Sequence, residues 1–517
     1  MDYCPQDFIP QQNLGNTQIT VFYINDTHGN VTKVSKLKPA HDKFKKHNKK
    51  GGLTVGAGDL YLGGNKGRNS AMTKIYNALK IDYVTAGNHE YDAGSAFYAN
   101  NIKNAKFTTV VSNINLPAKN PLSERLQDKK LVKSDVFMKN GTRFAILGTS
   151  PSDKDIGAAD KDNKVSVMTL DETIAVLNQE VEKLEAKGVN KIILLSHSGY
   201  DSDLQIATKT GGIDVIIGGH THDALDGVNK EDNAKSKKNL VKSLRLEPVI
   251  ITQAGSDNTN AGYLDVLFDQ KGVLIEDKIQ NKLVKLEKYP DSKKIDRILA
   301  KSLGKNEVIA PVTIPFVPSC EDDERKAENP VASILADGML RRGQKYCVEV
   351  AFFNAPSMKS SGISGKITTY DIKYRMLPYD DDVVVAELNE KQFVDLLNTE
   401  SKTIITKDLS QVLHCAGMRY TINKSDAKKD AICVHDVCIL DKNGNVVRKI
   451  DTQNPDESKI VKCAMNKFLF KESTLASILK DVKTSPKVGN QQEIFIEQIK
   501  QKGELKAEKD GRLNVIE

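Results

Sequence analysis

The chain has 517 residues, 75 of them Lys or Arg and 68 Asp or Glu, for a formal net charge of +7. At about 150 residues per domain this is roughly two to four domains, each long enough to bury a core. With 39% hydrophobic and 28% charged residues, collagen-like and disordered chains are excluded. No apolar run approaches the ~20 residues of a membrane-spanning helix. So mild a charge favours small acidic substrates and gives no reason to expect nucleic acid or a membrane as partner.

Residues 1–20 are polar, with no basic region leading into an apolar stretch. No secretory signal is legible there, which leaves open a cytoplasmic protein or a sequence with an unrecognised or missing leader. Seven cysteines are present, six of them from Cys320 to Cys463, without a C-x-x-C pair. Reduced thiols are expected rather than a disulfide framework. From residue 18 to about 282, short runs rich in Val, Ile and Leu alternate with helical stretches. The runs are 19–24, 53–57, 83–86, 144–147, 192–195 and 215–217, and they read as strands buried on both faces. Segments 70–79 and 170–187 read as helices, the second with Ile174, Leu177, Val181 and Leu184 at helical spacing. This alternation predicts an α/β domain. A turn at 289–292 opens a helix over 294–303, and the Pro-containing stretch 310–318 marks a boundary. Beyond it, helices at 330–341 and 390–399 mix with strands. Asn443-Gly444 predicts a type I′ hairpin turn.

Of nine histidines, five lie just beyond a short apolar run. The segments are VFYINDTHGN with Asp26 and His28, TVGAGDL with Asp59, YVTAGNHEYD with Asn88, His89 and Asp92, LLSHSGYD with His197, and VIIGGHTHD with His220 and His222. Ligand groups of an open α/β sheet gather at the carboxyl ends of strands, so these side chains are expected at one edge of one sheet. Glycines 56, 58, 87, 218 and 219 are expected to let the backbone turn sharply there. Imidazole and carboxylate suit zinc, manganese and iron. Two cations about 3.5–4 Å apart need a shared anionic ligand. Asp59 is the natural bridge, because it follows its strand with no partner ligand nearby. Asp26 and His28 can reach one metal, and His220 and His222 can divide between two.

These residues resemble the calcineurin-like metallophosphatases, whose pattern is D-x-H, G-D, G-N-H-[DE], a further His, then G-H-x-H. The form Gly87-Asn88-His89-Glu90-Tyr91-Asp92 is similar to the 5′-nucleotidase branch. The resemblance implies an N-terminal αββα sandwich (1–286), a linker helix region (287–311) and an α+β 5′-nucleotidase C-terminal substrate-binding domain (312–517). It implies two divalent ions (Zn, Mn, Fe, Mg or Co), one on Asp26, His28, Asp59 and His222, the other on Asp59, Asn88, His197 and His220. His89 and Asp92 match the family's catalytic dyad. The activity implied is hydrolysis of nucleotide phosphomonoesters, by in-line attack of a metal-bound hydroxide. Family members are often periplasmic or extracellular.

In the C-terminal half, Ala327-Glu328-Asn329-Pro330, Ile367–Ile372 with Met376–Tyr379, and 412–420 resemble the same branch. The departures fall on substrate-binding positions. The N-x-G-[GS]-x-R loop reads Asn354-Ala355-Pro356-Ser357-Met358-Lys359, and Lys lacks the bidentate fork of Arg. The P-F-G-[NG] turn reads Pro378-Tyr379-Asp380-Asp381. A Gly-Gly-Asp-Gly-aromatic loop is replaced by residues 470–474. Asn354, Lys359 and Tyr379 are the substrate-binding candidates, and Tyr379, Phe468 and Phe470 the aromatic ones. Cyclic nucleotides, nucleotide sugars, a non-nucleotide phosphoester, or a binding role without catalysis stay open as alternatives.

Overall fold

A computed structural model describes residues 16–48, 52–152, 156, 164–233, 236–316, 327–354, 358, 362–379, 381–407, 412–470 and 475–517. The chain divides into two units, Met1–Lys305 and Asn306–Glu517. In the first, the strands are β1 (Thr17–Ile24), β2 (Gly52–Ala57), β3 (Tyr83–Thr85), β4 (Thr108–Val110), β5 (Ile114–Asn115), β6 (Leu131–Val132), β7 (Ser134–Lys139) and β8 (Thr142–Thr149). They continue with β9 (Ser166–Val167), β10 (Ile192–Ser196), β11 (Val215–Ile217), β12 (Leu240–Lys242), β13 (Pro248–Thr252), β14 (Asn260–Phe268) and β15 (Gln280–Lys285).

One sheet has the order β15-β14-β1-β2-β3-β4-β6, the other β12-β13-β11-β10-β8-β7. In both, parallel strands fill the middle and antiparallel ones close an edge. Alternate residues of each strand face the opposite sheet, as a period of two requires. Val21, Tyr23, Leu53 and Val55 meet Ile146, Ile193, Leu195, Val215 and Ile217 in one core. The intervening residues Ala145, Leu147, Leu194 and Ile216 pack outward with Ile174, Leu177, Val181 and Leu184. Those four line the buried face of helix Leu170–Glu185, whose start is fixed by a capping box between Thr169 and Glu172,. On the far side of the other sheet, Phe22 packs with His41, Phe44 and Tyr263. The result is an αββα sandwich. Helix Lys293–Leu303 starts at a Ser292 cap, buries Ile295 and Leu299, and packs on helix Lys66–Leu79 within this unit.

The second unit is α+β. Its five-stranded sheet runs Leu413–Ala416, Val350–Asn354, Ile460–Asn466, Asp382–Asn389, Thr484–Asn490. One face packs Phe352 and Leu388 on Phe393 and Leu397 of helix Glu390–Lys407. The other packs Phe353 and Val385 on Leu335 and Met339 of helix Pro330–Gly343 and on Phe495 of helix Gln491–Lys502.

The hairpin at Asn443-Gly444 differs from expectation. Gly444 has φ 83°, but Asn443 does not enter the left-handed region. Gly444 N–H donates to Asp441 O and Asp441 N–H to Asn445 O. This is a type I turn followed by a left-handed glycine rather than type I′. Asp441 Oδ1 accepts the N–H groups of Asn443 and Asn445 and so stabilises it,. Among the described residues, Cys347, Cys415, Cys433, Cys438 and Cys463 are free thiols. No helix among them is long and apolar enough to cross a membrane.

Candidate metal centre

The candidate ligands converge, but from two sheets rather than one. Asp26 and His28 follow β1, Asp59 follows β2, and Asn88 and His89 follow β3, all in one sheet; His197 follows β10, and His220 and His222 follow β11, in the other. Face-to-face packing brings both sets of strand ends together. Ligand atoms of Asp26, His28 and His222 lie within 4.8 Å of one another, as do those of Asp26, Asp59 and His197, and of His28, Asp59 and His89.

The loops are bonded to each other as well as to their own strands. Asp26 N–H donates to Gly58 O at 3.0 Å, and His28 N–H to Asp59 O at 2.9 Å. His220 N–H reaches both Asp26 oxygens, at 3.1 and 3.0 Å. Asp26, His28, Asp59, His220 and His222 all have positive φ, between 48° and 78°. Non-glycine residues keep such a backbone only where the surroundings hold them in it. Of the five glycines expected to turn the chain, only Gly58 is left-handed, with φ 80°. Gly87 and Gly219 serve close approach instead. A Cβ on Gly219 would lie 2.7 Å from His197 Nδ1 and 2.9 Å from Asp26 Oδ2.

Asp59 is buried and its two oxygens are differentiated. Oδ1 accepts His89 N–H at 2.9 Å. Oδ2 lies 3.1 Å from His197 Nε2 and 3.5 Å from His28 Nε2. Burial opposes its charge, yet the imidazoles of His197 and His28 hold its carboxyl well below the usual range. Burial likewise disfavours a charged His28 and a charged His197. The carboxylates outweigh it, Asp257 and Asp59 at His28, Asp59 and Asp26 at His197, and both rings are pushed up to about 10. Each ring is oriented through its other nitrogen. His197 Nδ1 lies 2.7 Å from Ala57 O, and His28 Nδ1 lies 3.6 Å from Asp257 Oδ1, which leaves both Nε2 atoms toward the carboxylates.

A divalent cation fits these residues. Asn88 Oδ1 is buried with no hydrogen-bond partner among the described residues, a costly state unless something else satisfies it. The donor set is imidazole, carboxylate and amide oxygen, which suits first-row cations. His220 lies beside His197, with ring centroids 5.3 Å apart.

Next to the cluster, His89 Nδ1 lies 2.9 and 3.1 Å from the Asp92 oxygens. Asp92 Oδ2 also accepts Gly63 N–H at 2.8 Å, so the carboxylate is fixed before it fixes the ring. Burial opposes a charge on His89, but Asp92 and Asp59 raise it above the ordinary imidazole range. Two residues that carry no role in the sequence pattern belong here. Glu90 accepts four backbone N–H groups of the neighbouring loops. Asp257 faces His28 from the loop after β13. That loop follows another parallel strand end, so the strand-end rule, applied to 248–252, leads to it.

In the second unit, Asn354 ends its strand and Tyr379 precedes another at the same edge of the five-stranded sheet. The Asn354 side chain and Lys359 lie outside the described residues, as do Asp380 and 471–474. Tyr379 and Phe468 are exposed, whereas Phe470 packs against the core. Gln491 donates to Tyr379 O at 2.6 Å, and Phe468 N–H donates to Asp381 Oδ2 at 3.0 Å.

Candidate metal ligands gathered at the strand ends of an αββα sandwich are the arrangement of a calcineurin-like phosphoesterase domain, and residues 19–224 match that family model. Residues 308–481 match the 5′-nucleotidase C-terminal domain. With both domains in this order, the chain belongs to the 5′-nucleotidase family. It is similar to the trifunctional nucleotide phosphoesterase protein YfkN of Bacillus subtilis, 26% identical over 97% of this chain and 35% of that one. It is also similar to human 5′-nucleotidase, 28% identical over 59% of this chain and 54% of that one. It thus spans about a third to a half of the length of these curated relatives. The structure of a 5′-nucleotidase precursor from Thermus thermophilus shares the fold. Its TM-score is 0.68 at 24% identity, covering 97% of this chain and 99% of that one. Calcineurin-like phosphatases use divalent metals, and the clusters described here are candidate ligands for them.

Proposed function

We propose that this protein is a metal-dependent phosphoric ester hydrolase acting on nucleotide phosphomonoesters. The observation that carries the reading is the meeting of Asp26, His28, Asp59, His197 and His222 beside an assembled His89–Asp92 pair. We read Asp26, His28, Asp59 and His222 as ligands of one cation, and Asp59, Asn88, His197 and His220 as ligands of a second. When bound, the cations would polarise phosphoryl oxygens and supply an activated water near neutral pH.

The chain's own residues do the rest. Asp92 accepts a hydrogen bond from Nδ1–H of His89 and leaves Nε2–H free to meet a phosphoryl oxygen. The carboxylates around His89 favour its protonated form, so it can stabilise charge developing on that oxygen, worth ~2.7–4 kcal/mol for a preorganised donor. Nucleotide substrates are supported by the C-terminal family match and by the names of the relatives. At the strand edge of the second unit, Asn354, Lys359 and Tyr379 are our candidates for contacts to substrate.

The test is hydrolysis of AMP, a 2′,3′-cyclic nucleotide, a nucleotide sugar and an aryl phosphate, with added Mn²⁺ or Zn²⁺. Metal-dependent turnover of AMP that disappears in Asp59→Ala is expected. Turnover without metal, or surviving that substitution, rejects the reading, and preference for a non-nucleotide ester rejects the substrate class.

A further inference from the structure

Asn88, His89 and Glu90 are consecutive, yet only the first two are accounted for by ligation and catalysis. Glu90 is 3% exposed, and among the described residues its carboxylate is met by backbone donors. Oε1 accepts the N–H groups of Leu60 at 2.8 Å and Tyr61 at 3.2 Å. Oε2 accepts those of Asp59 at 3.0 Å and Gly87 at 2.6 Å. Three of these donors belong to the loop after β2 and the fourth to the loop after β3. The link is reciprocal, because His89 N–H donates back to Asp59 Oδ1. Two loops from neighbouring strands are thereby closed on each other in both directions.

The object of this tie is Asp59, whose φ is 50°. A strained backbone of that kind persists only where surrounding structure over-determines it. The position is also demanding, since Asp59 Oδ2 must face His28 and His197 at once. We propose that Glu90 is the positioning residue of the metal centre: one buried carboxylate collects four backbone N–H groups and so holds the Asp59 loop ready to ligate before any metal arrives. The inference rests on Asp59 being a ligand. Only a carboxylate does this at that position. Ionised, it is acceptor-only on both oxygens, whereas glutamine offers one acceptor and turns an NH₂ group toward two of the four donors. Aspartate is a methylene shorter and cannot span the same set.

The rival account is that the metal organises the loop and Glu90 only fills space. Two measurements separate them. The first is amide hydrogen exchange of the metal-free wild-type chain, read at Leu60 and Tyr61. Protection before metal is added is expected; exchange at open-loop rates that slows only with metal overturns the proposal. The second is Mn²⁺ titration followed by electron paramagnetic resonance, for wild type, Glu90→Gln and Asp59→Asn. In wild type two equivalents of Mn²⁺ should give an exchange-coupled signal. In Glu90→Gln that signal should vanish and affinity fall about 10–100-fold, with an unchanged circular dichroism spectrum. Glu90→Gln that keeps the coupled signal and binds as wild type does overturns the proposal. Should that variant not fold, the exchange measurement on wild type decides alone. A wild-type protein that binds no Mn²⁺ at all fails the metal reading instead, whatever its loop amides show.

Discussion

Substituting Gly87 by alanine tests whether the site is limited by the space between its two halves. The φ of Gly87 is not left-handed, so alanine can adopt the backbone and the effect is steric. The added Cβ would overlap Asp59 Oδ1, and would lie 2.7 Å from both Asp59 N and His197 Cδ2. That is about 0.7 Å inside the 3.4 Å of ordinary contact,. Neither neighbour is a flexible tip: one is backbone and the other a ring held by Ala57 O. The loops must therefore part, which costs ~1–3 kcal/mol of stability. A displacement approaching 1 Å at the reacting groups lowers turnover on the order of 10²-fold. Gly67→Ala is the control. Its Cβ would meet nothing closer than 3.5 Å, and within helix Lys66–Leu79 alanine gains up to ~1 kcal/mol,. Urea unfolding, Mn²⁺ titration and aryl phosphate turnover on both variants give the answer. Gly87→Ala with wild-type stability and turnover would refute the reasoning.

Three further outcomes are expected. Burial, with Lys45 and Lys38 nearby, pushes His41 down to about 3. The unfolded chain takes up that proton near 6.5, so stability is lost as pH falls from about 6.5 toward 3. At pH 5 the loss is about 2 kcal/mol, and urea unfolding at pH 7 and 5 should show it in wild type but not in His41→Gln. Thr169→Ala removes the capping hydroxyl of helix Leu170–Glu185 and should cost about 1 kcal/mol in the same assay; no change means the cap bond is not formed. Stripping metal with a chelator should lower the melting temperature, and Mn²⁺ at 100 times its Kd should restore about 2.7 kcal/mol. A melting temperature indifferent to Mn²⁺ contradicts a site of the kind described.

Much of the site is legible because its residues sit where buried strands end. The runs before Asp26, Asp59, Asn88, His197 and His220 are short and mostly apolar, so strand ends and candidate ligands appear together. That they lie on two sheets is not legible. A short apolar run without alternation marks a strand as buried on both faces, and such a strand fits the middle of either sheet. Glu90 escaped assignment because its partners are backbone N–H groups, which leave no mark in a sequence. Asp257 lies five residues beyond Thr252, and the strand-end rule reaches it only once 248–252 is taken as a strand. At Asn443-Gly444 the dipeptide pointed to one turn, but the preceding Asp441 captured two N–H groups and selected another. The C-terminal loops were the least legible, since Pro356 and Lys359 break the pattern that would locate them.

The left-handed backbone at five of the seven candidate ligands has a consequence for engineering. Glycine at any of those places would relax the main chain, so a search that rewards melting temperature alone drifts toward erasing the chemistry. Aspartate and histidine persist there against the preference of the polypeptide. A thermostabilised variant should therefore be screened for bound metal at every round, because the easiest gains in durability lie where the protein can least spare a side chain.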